Sequence, residues 1–296
     1  MKAFIKSLLS PPEEPVTPRV QILSDLHLEI SKQYTTYTFP VTAPFLLLAG
    51  DIGCLDHYDA YLAFLQAQVA RYRRVFLVLG NHEFYGLSYE KGVAEAQRLA
   101  AEPSIAASFT LLHRTRWDDP SSPLTILGCT LWSAVSPEQA DRVRLAVSDF
   151  ARIGGGWSVE RHNAAHAAEA RWLREQVAVL GVVPPQGQPP RRILVATHHA
   201  PFLEGSAAPQ YRDSVFSSAF ATDLVSARAR QQWRGVRVWA FGHTHHTVDM
   251  VQGGIRVVAN QRGYVFPGEK PRRRSTAEKL SAKQAVEFNS GFAVSL

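Results

Sequence analysis

The chain is predicted to be an α/β protein whose strands are covered on both faces, and three observations predict it. Short continuous apolar runs recur and end abruptly in polar residues, a pattern that suits strands buried on both sides. Stretches with helical apolar spacing lie between several of these runs. The polar residues that close the runs are Asp, Asn and His, at the carboxyl ends of strands where α/β sheets gather their ligands.

The elements follow in order. Pro11, Pro12, Pro15 and Pro18 make residues 1–18 an extended lead-in. Val20–Leu23 is the first strand run and stops at Ser24-Asp25-Leu26-His27; Phe45–Ala49 is the second and stops at Gly50-Asp51. Tyr58–Val69 has helical spacing. Val75–Leu79 leads into Gly80-Asn81-His82-Glu83, and Tyr89–Ala101 again reads as a helix. Asp118–Pro123 is a turn. Trp157–Leu180 is a long helix with Trp172, Leu173, Val177 and Leu180 on one stripe, and the breaker-rich Val183–Pro190 is a surface loop. Ile193–Ala196 then runs into Thr197-His198, and Val236–Phe241 into Gly242-His243-Thr244-His245. Residues 268–296 form a basic tail that can add an edge strand.

Composition bounds the rest. A chain of 296 residues suits one sizeable domain, placed here at 19–267. Its 46% apolar and 20% charged residues exclude global disorder. No apolar run approaches the roughly 18 residues of a membrane span, and the patch Ala3–Leu9 is broken by Lys6 with no cleavage site after it. Two cysteines, Cys54 and Cys129, make no disulfide framework, so a cytoplasmic location is expected. The net charge is +6, and half of that excess sits at 268–296, where Arg272, Arg273 and Arg274 precede Ser275 and Thr276. Nucleic acid is thereby permitted but not favoured as a partner, because the body has no interleaved basic and aromatic stretches.

Carboxylate oxygens, an amide oxygen and imidazole nitrogens suit two divalent transition ions, Mn, Fe, Zn, Ni or Co, better than Cu(I) or Ca. One carboxylate can bridge two cations about 3.5–4 Å apart, pin a hydroxide between them and clamp a phosphoryl group for in-line attack. Glycines before Asp51, Asn81 and His243 allow the backbone to approach closely there.

Asp25-Leu26-His27, Gly50-Asp51, Gly80-Asn81-His82-Glu83, His198 and Gly242-His243-Thr244-His245 together resemble the five blocks of the calcineurin-like metallophosphoesterases, over about residues 19–266. The resemblance implies an αββα sandwich of two mixed β-sheets flanked by helices. It implies one metal on Asp25, His27, Asp51 and His245 and another on Asp51, Asn81, His198 and His243, with Mn or Fe favoured. His82 is then a catalytic group that faces substrate rather than a ligand. Cys54 stands where the phosphoprotein phosphatases carry an aspartate and the purple acid phosphatases a tyrosine, and Glu83 replaces the usual aspartate of the cyclic-nucleotide branch. The remaining pattern looks like small stand-alone bacterial and fungal phosphoesterases.

The function implied is a dinuclear phosphohydrolase that cleaves a small phosphomonoester or phosphodiester by direct attack of a metal-bridging hydroxide. A metal-dependent nuclease and a non-catalytic scaffold are the alternatives. His199, Arg262 and Tyr264 are candidate substrate contacts, and Asp149 and Asp223 belong to the pocket rim. Asp56 or a backbone carbonyl is expected to orient His82. His162 and His166 are read as packing or solvated residues and Cys54 as packed, and Ser133–Gly156 and Glu204–Thr222 as a partial cover over the site.

Overall fold

The computed structural model describes residues 17–181, 189–266 and 286–296. Most of the lead-in, of the Val183–Pro190 loop and of the basic tail therefore lies outside the described residues. The strands are β1 (Arg19–Leu23), β2 (Phe45–Ala49), β3 (Arg74–Val78), β4 (Phe109–Leu111), β5 (Thr115–Asp118), β6 (Leu124–Gly128), β7 (Arg192–Ala196), β8 (Val236–Phe241), β9 (Val248–Gln252), β10 (Ile255–Ala259) and β11 (Ala293–Ser295). The helices are α1 (Tyr58–Val69), α2 (Tyr89–Ala100), α3 (Ala140–Ala146), α4 (Asp149–Arg152) and α5 (Val159–Leu180).

Two mixed sheets carry the fold. The first has the order β11-β1-β2-β3-β4 and the second β5-β6-β7-β8-β10-β9. The inner strands pair in parallel, in register Val20↔Phe45 and Phe45↔Arg74 in one sheet and Leu124↔Arg192 in the other. Antiparallel partners close three of the four edges, β11 on β1, β5 on β6 and β9 on β10, while β4 pairs in parallel with β3. The period of two along a strand explains the layers. Val20, Ile22, Phe45, Leu47, Phe76 and Val78 of one sheet meet Leu124, Ile126, Leu194, Ala196, Val238 and Ala240 of the other in one buried cluster. The alternate residues face outward, Leu46, Leu48 and Leu77 towards Phe64, Leu65 and Leu99. On the far side Val195, Trp239 and Val257 pack on Leu173 and Val177 of α5. Each sheet is thus covered on both faces, which is why these strands read as unbroken apolar runs. The molecule is an αββα sandwich of two mixed sheets flanked by helices.

Helix starts follow from capping. Ser88 accepts a hydrogen bond from Lys91 N–H and Ser158 from Arg161 N–H, satisfying donors the first turn leaves open. In α5 the buried set Val159, His162, His166, Glu169, Ala170, Leu173 and Val177 recurs at three- and four-residue steps, so both histidines sit on the inward stripe. No helix among the described residues is long and apolar enough to cross a membrane.

Candidate metal centre

The loops that follow β1, β2, β3, β7 and β8 meet at one place, held by backbone bonds between them. Asp25 N–H donates to Gly50 O at 3.0 Å, His27 N–H to Asp51 O at 3.0 Å and Gly242 N–H to His198 O at 2.9 Å. His243 N–H donates to both oxygens of Asp25, at 3.0 and 3.2 Å. Asp25, His27, Asp51, His243 and His245 all have positive φ, from 47° to 72°, where a side chain costs about 1–2 kcal/mol per residue. Such strain concentrates at functional sites. Glycines make the remaining room: a side chain at Gly50 would collide with the His198 ring, and one at Gly80 with Asp51 Oδ1.

The donor atoms converge in two groups. Asp25, His27 and His245 form one and Asp51, His198 and His243 the other, with the ligand atoms of each group within 4.8 Å of one another. His27 Nε2 lies 2.9 Å from His245 Nε2, and His245 Nε2 lies 3.5 Å from Asp25 Oδ1. In the second group His198 Nε2 is 3.4 Å from Asp51 Oδ1 and 3.0 Å from Asn81 Oδ1. Asp51 stands between the groups, since its Oδ2 is 3.9 Å from His27 Nε2.

The outward nitrogens fix the tautomers. His198 Nδ1 donates to Ala49 O at 3.0 Å, and His27 Nδ1 to Glu29 Oε1 at 3.1 Å. Both acceptors lack a proton to give, so in each ring Nε2 is the nitrogen that faces inward and is available to a cation. Asn81 is oriented likewise: its Nδ2 donates to Asp149 Oδ1 at 2.8 Å and to Tyr85 OH at 3.1 Å, which leaves Oδ1 facing the cluster. His243 Nε2 is buried without a hydrogen-bond partner. Donor-to-donor spacings of about 3.0–3.5 Å are those of ligands placed about 2.0–2.2 Å from a shared cation. The residues fit two divalent ions.

Burial works against the Asp51 carboxylate, but the His198 and His82 charges outweigh it and hold Asp51 well below its usual range. His198 is raised to about 10, where Asp51 overcomes the burial that would lower it, so a cation binding here takes the place of a proton shared with Asp51. His243 is pushed well down by burial and by His198, so it offers a neutral nitrogen.

The structure divides the remaining expectations. His82 lies beside the cluster, its Nε2 3.9 Å from Asp51 Oδ2 and 3.2 Å from Tyr264 OH. Its Nδ1 donates to Glu29 Oε1 at 2.9 Å, so Glu29 takes the place expected for Asp56 or a backbone carbonyl. His27, Glu29 and His82 also bring ligand atoms within 4.8 Å, but Glu29 Oε1 is already shared by two imidazole N–H groups. His199 is wholly buried, with its ring 4.0 Å from that of His243 and both nitrogens unpartnered. It packs behind the cluster and does not line the cavity. Arg262 is turned away from the expected substrate position: it donates to Leu26 O and Gln33 Oε1 at 3.0 and 2.8 Å and lies over the Tyr37 ring. Asp223 accepts from Leu203 N–H at 2.8 Å. His162 accepts from Ser133 N–H and His166 donates to Leu131 O; both are buried packing residues. Cys54 is buried, with its N–H on Tyr34 OH.

Sequence reasoning missed the supporting role of three carboxylates, although it placed Asp149 at the pocket rim and Glu83 in the third block. Glu29 and Asp149 are described above. Glu83 is fully buried; its Oε1 accepts from Ile52 N–H, Gly53 N–H and Tyr61 OH at 2.8, 3.3 and 2.9 Å, and its Oε2 from Asp51 N–H and Gly80 N–H at 2.9 and 2.6 Å. The only sequence signal for that role is its place directly after Asn81-His82. A cavity of about 800 Å³ opens over the cluster, bounded by Asp51, Asn81, His82, His243, His245 and Tyr264 on one side. Ala146–Asp149 and parts of Leu203–Ala221 form the other side, so both segments expected to cover the site do wall it.

Comparison with known proteins places the chain in a family. The chain is 26% identical over 269 residues to the uncharacterized protein L509 of Acanthamoeba polyphaga mimivirus, spanning 83% of this chain and 91% of that one. The fold resembles that of the phosphopantetheinyl hydrolase PptH of Mycobacterium tuberculosis, with a TM-score of 0.56, 17% identity and coverage of 85% of this chain and 91% of the other. The family model of the calcineurin-like phosphoesterases matches residues 18–247. That stretch takes in all five strand-end blocks, and the chain belongs to the calcineurin-like phosphoesterase family.

Proposed function

We propose that this protein is a dinuclear metal-dependent phosphohydrolase acting on a phosphoester. The observation that carries the reading is the position of Asp51, whose carboxylate stands between two groups of inward-facing donors. Asp25, His27, Asp51 and His245 would hold one ion, and Asp51, Asn81, His198 and His243 the other. Mn or Fe suits this mixed oxygen and nitrogen set. When bound, such ions supply charge neutralisation and an activated water for in-line attack on phosphorus.

The chain's own residues do the rest. Glu29 holds His82 Nδ1–H, so the proton that moves in catalysis is carried on His82 Nε2, which faces the cavity. Tyr264 OH lies beside it and can hydrogen-bond a phosphoryl oxygen. Burial tends to lower His82, but Asp51 and Glu29 together raise it above its usual value. A protonated imidazole near neutral pH is the form that can donate to a departing alkoxide. The cavity wall argues against a nuclease, since Arg212 is the sole Lys or Arg among the described residues that line it.

Metal analysis and a substrate panel test the reading. After anaerobic reconstitution with Mn, the chain should bind about two ions, and Asp51→Asn or His243→Ala should remove metal and activity together. Bis-p-nitrophenyl phosphate, p-nitrophenyl phosphate and single-stranded DNA are assayed side by side. Preferred turnover of DNA would favour the nuclease, and turnover of none would favour a scaffold.

A further inference from the structure

Resting on the phosphohydrolase reading, we propose that the substrate is the phosphoester of an elongated apolar alcohol, and that its alkyl or aryl arm lies in the chamber next to the donor cluster. Three observations carry this. The cavity, about 800 Å³, falls in the roughly 300–1,000 Å³ range that encloses a drug-sized ligand, far more than a phosphoryl group needs. Its two sides differ in chemistry. The donors and His82 form one group of the lining, and Val147, Leu203, Tyr211, Phe216 and Phe220 form an apolar group beside it that also takes in Glu204 and Arg212.

The apolar side chains there are also left uncovered. Leu203 is 40% exposed and Tyr211 56%, in a molecule whose other large apolar side chains are mostly packed away. An exposed apolar patch that continues directly from a polar site marks a binding surface. Charge excludes the main competitor. With Arg212 the one guanidinium in the described lining and Arg262 committed elsewhere, a polyphosphate or nucleic-acid strand finds a single cationic partner along the chamber.

The wall is built rather than incidental. Thr244, between the two histidines of the donor cluster, donates its hydroxyl to Ser206 O at 2.7 Å. Leu203 N–H is held by Asp223, and Ser218 Oγ donates to Gln139 Oε1 at 2.7 Å. Phe220 stacks on His243 with ring centres 4.8 Å apart. The apolar side is therefore fixed in register with the donors, so an arm and a phosphoryl group can be seated together.

The test uses two readouts on the Mn-reconstituted full chain. Hydrolysis of methyl, butyl and hexyl phosphate is followed by phosphate release, and that of the corresponding methyl alkyl diesters by release of the alcohol. Binding of methyl-, butyl- and hexylphosphonate is followed by calorimetry. Each fully buried methylene is worth about fourfold, so hexyl should exceed methyl by at least about tenfold in both kcat/KM and affinity. Tyr211→Ala, and Leu203→Ala as a second exposed position, should each lower the hexyl-to-methyl ratio by about threefold or more. Turnover with a flat chain-length series overturns the apolar arm and leaves the phosphohydrolase standing. Chain-length-dependent binding with no turnover of any ester supports the chamber and removes the phosphohydrolase reading. A flat series in both readouts with no turnover removes both.

Discussion

Replacing Glu83 by glutamine removes one charge and no volume, and the hydrogen bonds determine the consequence. Five donors converge on the two carboxylate oxygens: Ile52, Gly53 and Tyr61 on Oε1, and Asp51 and Gly80 on Oε2. Glutamine must put its NH2 group on one side or the other. On the Oε2 side it confronts two backbone N–H groups. On the Oε1 side it also confronts two, although the tyrosine hydroxyl can turn and accept. Two bonds are lost in either orientation and two buried N–H groups are orphaned, at about 1–3 kcal/mol each. Relief of a buried charge offsets part of this, because burial and Asp51 already push Glu83 up to about 7. A protonated carboxyl still accepts at both oxygens, whereas an amide nitrogen accepts nothing, so the variant does not simply mimic the acid form. The expected loss is about 2–4 kcal/mol, or a Tm lower by about 3–6 °C for a chain of this size. Urea unfolding in chelator, with an unchanged m value, measures it. Metal affinity should fall by about tenfold or more, since the loop that carries Asp51 loses its anchor. A Glu83→Gln variant within about 0.5 kcal/mol of the parent would refute the reasoning.

Three further outcomes are expected. His82→Ala should keep both metals yet lose at least about tenfold in kcat on an ester with a poor leaving group, and less on a p-nitrophenyl ester; loss of metal on this change would make His82 a ligand. Glu29→Gln should lower both metal affinity, by about 10–100-fold, and kcat, because one oxygen serves His27 and His82; metal titration together with kinetics separates the two effects, and an unchanged kcat would show that His82 is oriented otherwise. Glu169 is raised by burial from 4.5 to about 8, so the native chain keeps a proton that the unfolded chain releases. Its contribution to stability is present below about pH 4.5 and is lost as pH rises towards 8, at up to about 1.4 kcal/mol per pH unit. Glu169→Gln should flatten that part of the profile, and urea titrations with the same slope in both proteins between pH 5 and 8 would contradict it.

What could be read from the sequence follows the range of each interaction. Phe45–Ala49 and Val236–Phe241 are strands with those same bounds, and Tyr58–Val69 is the helix its spacing indicates, because burial on both faces or on one stripe is written locally. Strand β6 is hidden in the sequence because Thr125 and Gly128 interrupt its apolar run. Strand β9 is hidden because it is a sheet edge whose Asp249, Met250 and Val251 are exposed. The strand-end blocks stand out because their residue types are scarce in that setting. Their supports do not, since Glu29 meets His82 across 53 residues and Asp149 meets Asn81 across 68, and a lone carboxylate has no pattern until the chain folds. Arg262 shows the opposite error: its neighbourhood in the chain suggests the pocket, while its side chain turns to Leu26 and Gln33.

The strain at the centre follows from the same requirement. Glycine would adopt the left-handed backbone at positions 25, 27, 51, 243 and 245 without penalty, but glycine has no oxygen or nitrogen to present. The chain keeps Asp and His there and holds the unfavourable φ at positions 25, 27, 51 and 243 in place with bonds from a different loop. Asp25 is tied to Gly50 through its N–H and to His243 through its carboxylate, His27 to Asp51, and the Asp51 backbone to Glu83. Each tie joins two strand ends, so no donor can relax to a better backbone without disturbing the loop opposite. Donor spacing is therefore a property of the cross-linked loops, which in turn rest on strands whose register the two-sided core fixes. This is why substitutions at Glu83 or Gly80, neither of which offers an atom to the cluster, are expected to weaken it although every donor stays in place.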